Sequence, residues 1–239
     1  MTWPVRIRSG NIVSIPSPQT GSASLIQILP HIKGDWARPV RVGNRMVYPK
    51  IKLEDWQCFI LCVVFGWKLI ATGKRRFKRV YIEVPRKNAK STLSSGVANF
   101  MLTADDEPGA EVYSAATTGE QARIVFNDAC TMAVREPSFV ERFGVEVGAH
   151  SMLVRSVASV FRPLNAEGST LDGLNIHCGI IDELHAHKKR DLYDVLDSGT
   201  GARSQPILWM INHGWQRSQR HLLRAADPRH QDSGSRVRR

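Results

Sequence analysis

Cysteine is scarce in this chain of 239 residues, acids are outnumbered by bases, and no long apolar run is present. The four cysteines, Cys58, Cys62, Cys130 and Cys178, form no C-x-x-C pair, and the first two sit at helical i, i+4 spacing. That spacing argues against a disulfide framework or a zinc knuckle and for reduced core thiols. The longest apolar candidate, Phe59 to Trp67, is far shorter than the roughly 20 residues a membrane span needs. Met1 to Pro18 carries Arg6 and Arg8 but no apolar core or small-residue cleavage site, so a secretory signal is not expected and a cytoplasmic location follows. Lysine and arginine total 33 against 22 acids, a formal net charge of +11. Such a balance favours polyanionic partners, nucleic acid or nucleotide phosphates, without choosing between them. The excess lies in an N-terminal stretch (Arg38, Arg41, Arg45, Lys50, Lys52), a block from Lys68 to Arg79, and an arginine-rich end. Each block reads equally well as a solvated basic face.

Residues 1–45 are rich in Pro, Ser and Gly with little periodicity, which predicts an arm laid over a surface rather than a core element. From Leu53 the pattern changes: Trp56, Ile60, Val63, Val64 and Trp67 recur at helical spacing, predicting one helix from Glu54 to Ile70. Val80–Val84 has strand composition, and Ser91–Thr103 reads as a helix that Gly96 weakens only slightly. A second strand is expected over Glu111–Ala116 and a helix over Gly119–Arg135, ending before Pro137. Ser151–Phe161 alternates enough for a strand or hairpin, while His177–Ile181 and Pro206–Ile211 are apolar runs of the kind buried inside a parallel sheet. Alternating strands and helices argue for an α/β fold with a mainly parallel central sheet flanked by helices. After Ile211 the apolar periodicity is lost, and residues 212–239 read as a basic tail that does not fold alone.

The residues that carry chemistry begin with Val84-Pro85-Arg86-Lys87-Asn88-Ala89-Lys90-Ser91, set between a strand and a helix. A P-loop needs a strand-to-helix turn whose backbone N–H groups wrap phosphates, a lysine for the β and γ oxygens, and a hydroxyl for Mg²⁺. Lys90 and Ser91 meet the last two needs, although Val84 and Ala89 fill both glycine positions of the general pattern. A second site, Gly179-Ile180-Ile181-Asp182-Glu183, has the form of a buried strand ending in adjacent acids. In P-loop enzymes the first such acid holds Mg²⁺ and the second polarises the attacking water. Two adjacent carboxylates repel each other, which makes a purely structural reason for them harder to find.

Together with Asp55-Trp56-Gln57, Phe65-Gly66-Trp67, Ala115-Ala116-Thr117-Thr118, Gln121-Ala122 and Asp182-Glu183-Leu184-His185, the Arg86–Ser91 string resembles large terminase subunits of tailed phages over residues 50–211. The resemblance implies an additional-strand P-loop ATPase over residues 46–211, ATP and Mg²⁺ as ligands, and a ring of copies on the procapsid portal. It further implies the small terminase subunit as a partner and translocation of double-stranded DNA in the bacterial host cytoplasm. Carried over, it makes Lys90 and Ser91 the phosphate and Mg²⁺ ligands, with Lys87, Asn88, Ala89 and Thr92 completing the cradle. It makes Asp182 the metal-site acid, Glu183 the catalytic base, and Arg86 the arginine that stabilises charge on the transferring phosphate. Gln57 matches the segment associated with adenine, whereas Trp56 beside it reads equally as core. Thr117 and Thr118 end a strand, where a hydroxyl faces either the nucleotide crevice or a helix N-cap.

Two departures stand out. Family members carry glycine where Ala89 stands, and a methyl there demands ordinary helical or β dihedrals. After Ile211 the family continues with a Thr-Thr-Ala-Gly coupling motif, but here Asn212-His213-Gly214-Trp215 follows, and the nuclease domain expected next is missing. A frameshift or premature stop is the expectation these raise. Two rival functions remain: a metal-dependent hydrolase using Asp182, Glu183, His185 and His187, and a basic DNA-binding module without catalysis.

Overall fold

A computed structural model describes residues 8–9, 12–14, 21–116, 118–164, 173–183 and 191–212. Thr117, His185, His187 and the expected tail from 213 onward therefore lie outside the described residues. The chain runs β1 (Arg8–Ser9), β2 (Ile12–Ser14), α1 (Gly21–Ile28), β3 (Val40–Val42), β4 (Arg45–Val47), α2 (Asp55–Gly66), β5 (Trp67–Leu69), β6 (Arg79–Glu83) and α3 (Lys90–Thr103). It continues with β7 (Glu111–Ala115), α4 (Gly119–Val134), α5 (Pro137–Phe143), β8 (Val145–Val147), β9 (Met152–Val154), β10 (Ser159–Pro163), β11 (Ile176–Asp182), α6 (Asp191–Ser198) and β12 (Ile207–Asn212).

Seven strands form the central sheet in the order β6-β12-β11-β7-β10-β9-β8. The first five are mutually parallel, and β9 and β8 add antiparallel edges. Strands β11 and β12 are apolar at almost every position because helices cover both faces, leaving no face for polar alternation. The hairpin expected over Ser151–Phe161 is present as β9 and β10, joined by a 3₁₀ turn at Arg155–Val157.

Helix α3 is buried along Leu93–Leu102, so its polar residues need partners inside the core. Ser95 Oγ reaches the Val125 carbonyl of α4 at 2.9 Å, Asn99 Nδ2 donates to Ala129 O at 3.3 Å, and the indole of fully buried Trp209 donates to Ser94 Oγ at 3.1 Å. Gly96 has a packing reason, because a Cβ there would come within 2.9 Å of Ile26 on α1.

Ile26 also corrects the expectation for residues 1–45. Gly21–Ile28 is a helix, and Leu25, Ile26 and Leu29 belong to the main core beneath α3. Eight residues are too few for periodicity to stand out, and their helicity comes from the docking site. The helix expected over Glu54–Ile70 also differs: it ends at Gly66, and Trp67–Leu69 pairs antiparallel with Ile12–Ser14. Pairing with a distant segment overrides the local helical pattern there. The opposite face of the sheet is covered by α6, a helix the sequence reading passes over, through Leu192, Tyr193 and Leu196.

The end of the sheet opposite the C-terminal strand tips is tied by buried charge. Arg75, 3% exposed, donates to Asp105 at 2.5 Å, and His177 Nε2 lies 2.8 Å from the same carboxylate oxygen. The guanidinium also stacks 5.0 Å from the Phe65 ring. Arg75 therefore leaves the basic block for the interior, where an unpaired cation would be heavily penalised.

Candidate nucleotide site

Strand β6 delivers the chain to a loop over 84–89 from which α3 starts at Lys90. Lys87 and Ala89 both occupy the left-handed region, with φ of 68° and 51°. Ala89 is the N-cap of α3 in that conformation, contrary to the dihedrals expected of a methyl-bearing residue. Left-handed residues within such a loop are the backbone feature from which anion-binding nests are built, and they carry a steric cost at non-glycine positions. Asn88 stiffens the loop by donating from Nδ2 to the carbonyls of Pro85 at 3.1 Å and Arg86 at 3.3 Å. Arg86, Lys87, Asn88 and Ala89 are exposed, while Lys90, Ser91 and Thr92 are half-buried at the first turn of α3. Lys90 Nζ lies 3.5 Å from Val84 O, folded back over its own loop.

The acids arrive on β11. Asp182 has the same strand parity as Cys178 and Ile180, which pack in the cluster beneath α3, so its carboxylate projects toward the face where Lys90 begins. Glu183 follows with φ 53°, a left-handed turn that ends the strand alternation. Strands β6 and β11 are parallel with β12 between them, and both segments leave the sheet at its C-terminal end. Burial pushes the Lys90 ammonium below its ordinary pKa, Asp182 and then Glu183 oppose that shift, and Arg86 adds to it. The amine thus lies within electrostatic reach of both carboxylates.

Strand β12 lies between the two halves and braces both. Val84 N–H donates to Asn212 O at 3.2 Å, and Glu183 N–H donates to Ile211 O at 3.0 Å. Asn212, buried, also donates from Nδ2 to the Tyr81 hydroxyl on β6 at 2.8 Å. This brace is absent from the motif-based reading, although the apolar run ending in a single polar residue marks its position. One strand inserted between the loop-bearing strand and the acid-bearing strand is the additional-strand arrangement of P-loop ATPases.

Other expected residues have more structural roles. Gln57 is buried, and its Oε1 accepts the Glu54 N–H at 3.0 Å in the capping box that starts α2. Trp56 packs half-buried against the core. Thr118 is the N-cap of α4, accepting the Gln121 N–H at 3.2 Å. None of the four cysteines is in a disulfide; burial pushes Cys130 up to about 12 and Cys178 higher still.

Among the described residues no three His, Cys, Asp or Glu side chains cluster as a metal cage. By chemistry, the hydroxyl of Ser91 and the carboxylate of Asp182 fit Mg²⁺, a hard cation that takes few protein ligands and fills its shell with water and phosphate oxygens. Among the described residues, too, no helix is long and apolar enough to cross a membrane.

Similarity to known proteins agrees with this geometry. The chain is 28% identical over 134 residues to the large terminase subunit of Enterobacteria phage HK97, a match covering 55% of this chain and 27% of that protein. Protein YmfN of Escherichia coli K12 is 34% identical over 79 residues, 30% of this chain and 17% of that protein. The crystal structure of the HK97 large terminase superimposes with a TM-score of 0.66 at 22% identity, covering 83% of this chain and 38% of that one. The chain thus spans well under half the length of these relatives. The family described as the ATPase domain of the terminase large subunit matches residues 55–223, most of the chain, and to that family this protein belongs.

Proposed function

We propose that this chain is a Mg²⁺-dependent ATP-hydrolysing module whose turnover drives double-stranded DNA into phage procapsids. The observation that carries the reading is that Lys90, which opens α3 after β6, and Asp182–Glu183, which end β11, lie at the same C-terminal end of parallel strands with β12 between them. In this reading Lys90 and the N–H groups of 86–91 bind the β and γ phosphates, and Arg86 offsets charge on the transferring phosphoryl group. Ser91 and Asp182 would hold Mg²⁺, which would supply neutralisation of phosphate charge. Glu183, released from the strand by its left-handed turn, orients and deprotonates the attacking water. Gln57, beside Trp56 at the start of α2, contributes to the adenine pocket through whatever its capping bond leaves available. The partners that follow are duplex DNA held through phosphates, further copies in a ring, the portal and the small terminase subunit, all in the bacterial host cytoplasm.

A single-turnover assay with ATP and Mg²⁺ tests the reading. Lys90→Ala and Glu183→Gln should each reduce hydrolysis by about 100-fold or more. Glu183→Gln should retain ATP binding while Lys90→Ala loses it. Duplex DNA binding without any Mg²⁺-dependent hydrolysis would instead favour the non-catalytic DNA-binding function.

A further inference from the structure

Tyr81 on β6 and Asn212 at the end of β12 touch none of the residues assigned to nucleotide, yet they form a polar pair on an otherwise apolar surface. Strand alternation puts Asn212 on the same side of β12 as Leu208 and Met210, which pack with Tyr81 in the cluster covered by α6. Asp182 projects from the opposite side, toward the start of α3, so the Asn212 amide lies on the far face from it. Asparagine is a poor strand residue, and a leucine there would join its apolar neighbours without desolvating an amide. Asn212 is nevertheless buried, 3% exposed. Its bonding supplies a reason.

The pair closes a circuit. Asn212 Nδ2 donates to the Tyr81 hydroxyl at 2.8 Å, Asn212 O accepts the Val84 N–H at 3.2 Å, and the chain from Tyr81 to Val84 completes the loop of contacts. The carbonyl one residue earlier, Ile211 O, accepts the Glu183 N–H at 3.0 Å. Residues 211 and 212 thus carry the first residue of the phosphate-binding loop on one side and the proposed base on the other. Glu183 has already left the strand alternation at φ 53°, and the terminal rungs of a ladder open most readily. A side-chain bond across β12 and β6 resists sliding or twisting between them at the point where both segments hang. We propose that Tyr81 and Asn212 are positioning residues for ATP hydrolysis, their bond fixing the spacing between the loop that holds the phosphates and Glu183. This deepens the ATPase reading and rests on it. An error of about 1 Å in that spacing is enough to slow attack by about 100-fold while leaving the cradle able to bind.

Tyr81→Phe in the full chain removes the hydroxyl alone. Tyr113→Phe is its control, because that hydroxyl belongs to the same apolar cluster but bonds Glu111 at the start of β7. Single-turnover hydrolysis and ATP affinity are measured with Mg²⁺, well below the thermal midpoint. Tyr81→Phe should slow hydrolysis about tenfold with the ATP dissociation constant within about twofold of the original, and Tyr113→Phe should change neither. Asn212→Leu should match Tyr81→Phe, and the two combined should be no slower than the worse of them. Residue-resolved hydrogen exchange gives a readout that needs no turnover: the Val84 and Glu183 amides should exchange about three- to tenfold faster in Tyr81→Phe and not in Tyr113→Phe. An unchanged rate in Tyr81→Phe, or a rate that falls only in step with ATP affinity, would overturn the positioning role. So would unchanged exchange at Glu183, which would leave the Tyr81 bond holding only its own strand. An original chain without Mg²⁺-dependent hydrolysis would sink the ATPase reading and the role in hydrolysis with it, while exchange would still decide whether the pair holds the two segments.

Discussion

Replacing Ala89 with glycine is expected to stabilise the protein although it removes a methyl group from a helix start. Ala89 sits at φ 51°, ψ 32°. A side chain in that region crowds the following carbonyl and costs about 1–2 kcal/mol relative to an unstrained conformation, a cost glycine does not incur. Against this, glycine leaves the unfolded chain freer, which removes about 0.4–1 kcal/mol. Alanine is also among the poorer N-caps and glycine a better one, adding a few tenths of a kcal/mol, roughly. The balance favours glycine by about 0.5–1 kcal/mol, a rise of about 1–4 °C in thermal midpoint for a chain of this size. Urea unfolding should show a higher midpoint with an unchanged slope, since the exposed Ala89 contributes almost nothing to buried area. Ala89→Val should move the midpoint the other way, because a β-branched side chain is stiffer at χ1 and poorly tolerated at positive φ. An Ala89→Gly variant no more stable than the original, or a valine variant equal to it, would refute the argument that loop shape is imposed against the preference of this residue.

Two further outcomes follow from buried charge. Asp105→Ala leaves Arg75, 3% exposed, without its carboxylate and should destabilise by about 3–5 kcal/mol in urea unfolding, whereas Arg75→Met with Asp105→Leu should cost far less; equal losses would show that the pair is not effectively desolvated. Burial holds the Asp128 carboxyl above its ordinary pKa, and the Lys33 ion pair only partly offsets this. A folded pKa above the unfolded one means the fold is unpenalised while both states are protonated and loses stability as pH rises through the interval. Asp128→Asn, which cannot ionise, should therefore gain on the original protein as pH climbs from 3 toward 7, roughly across the carboxylate range. A difference in thermal midpoint that is flat with pH, or that shrinks as pH rises, would contradict the assignment.

Periodicity and composition alone determined the alternation of strands and helices, because β11 and β12 are mostly apolar and α4 is amphipathic whatever surrounds them. They also determined the chemistry on offer at Lys90, Ser91, Asp182 and Glu183, which depends on residue type and spacing at element ends. Only the tertiary structure decided the rest. Helix α1 and strand β5 owe their form to distant partners, Ile26 under Gly96 and Ile12–Ser14 alongside Trp67–Leu69, and no local window contains those contacts. The left-handed turns at Ala89 and Glu183 belong to residues whose own preferences oppose them, so they appear only once β6, β12 and β11 are aligned. That alignment is also what brings the Lys90 and Asp182–Glu183 segments, far apart in the chain, to the same end of the sheet.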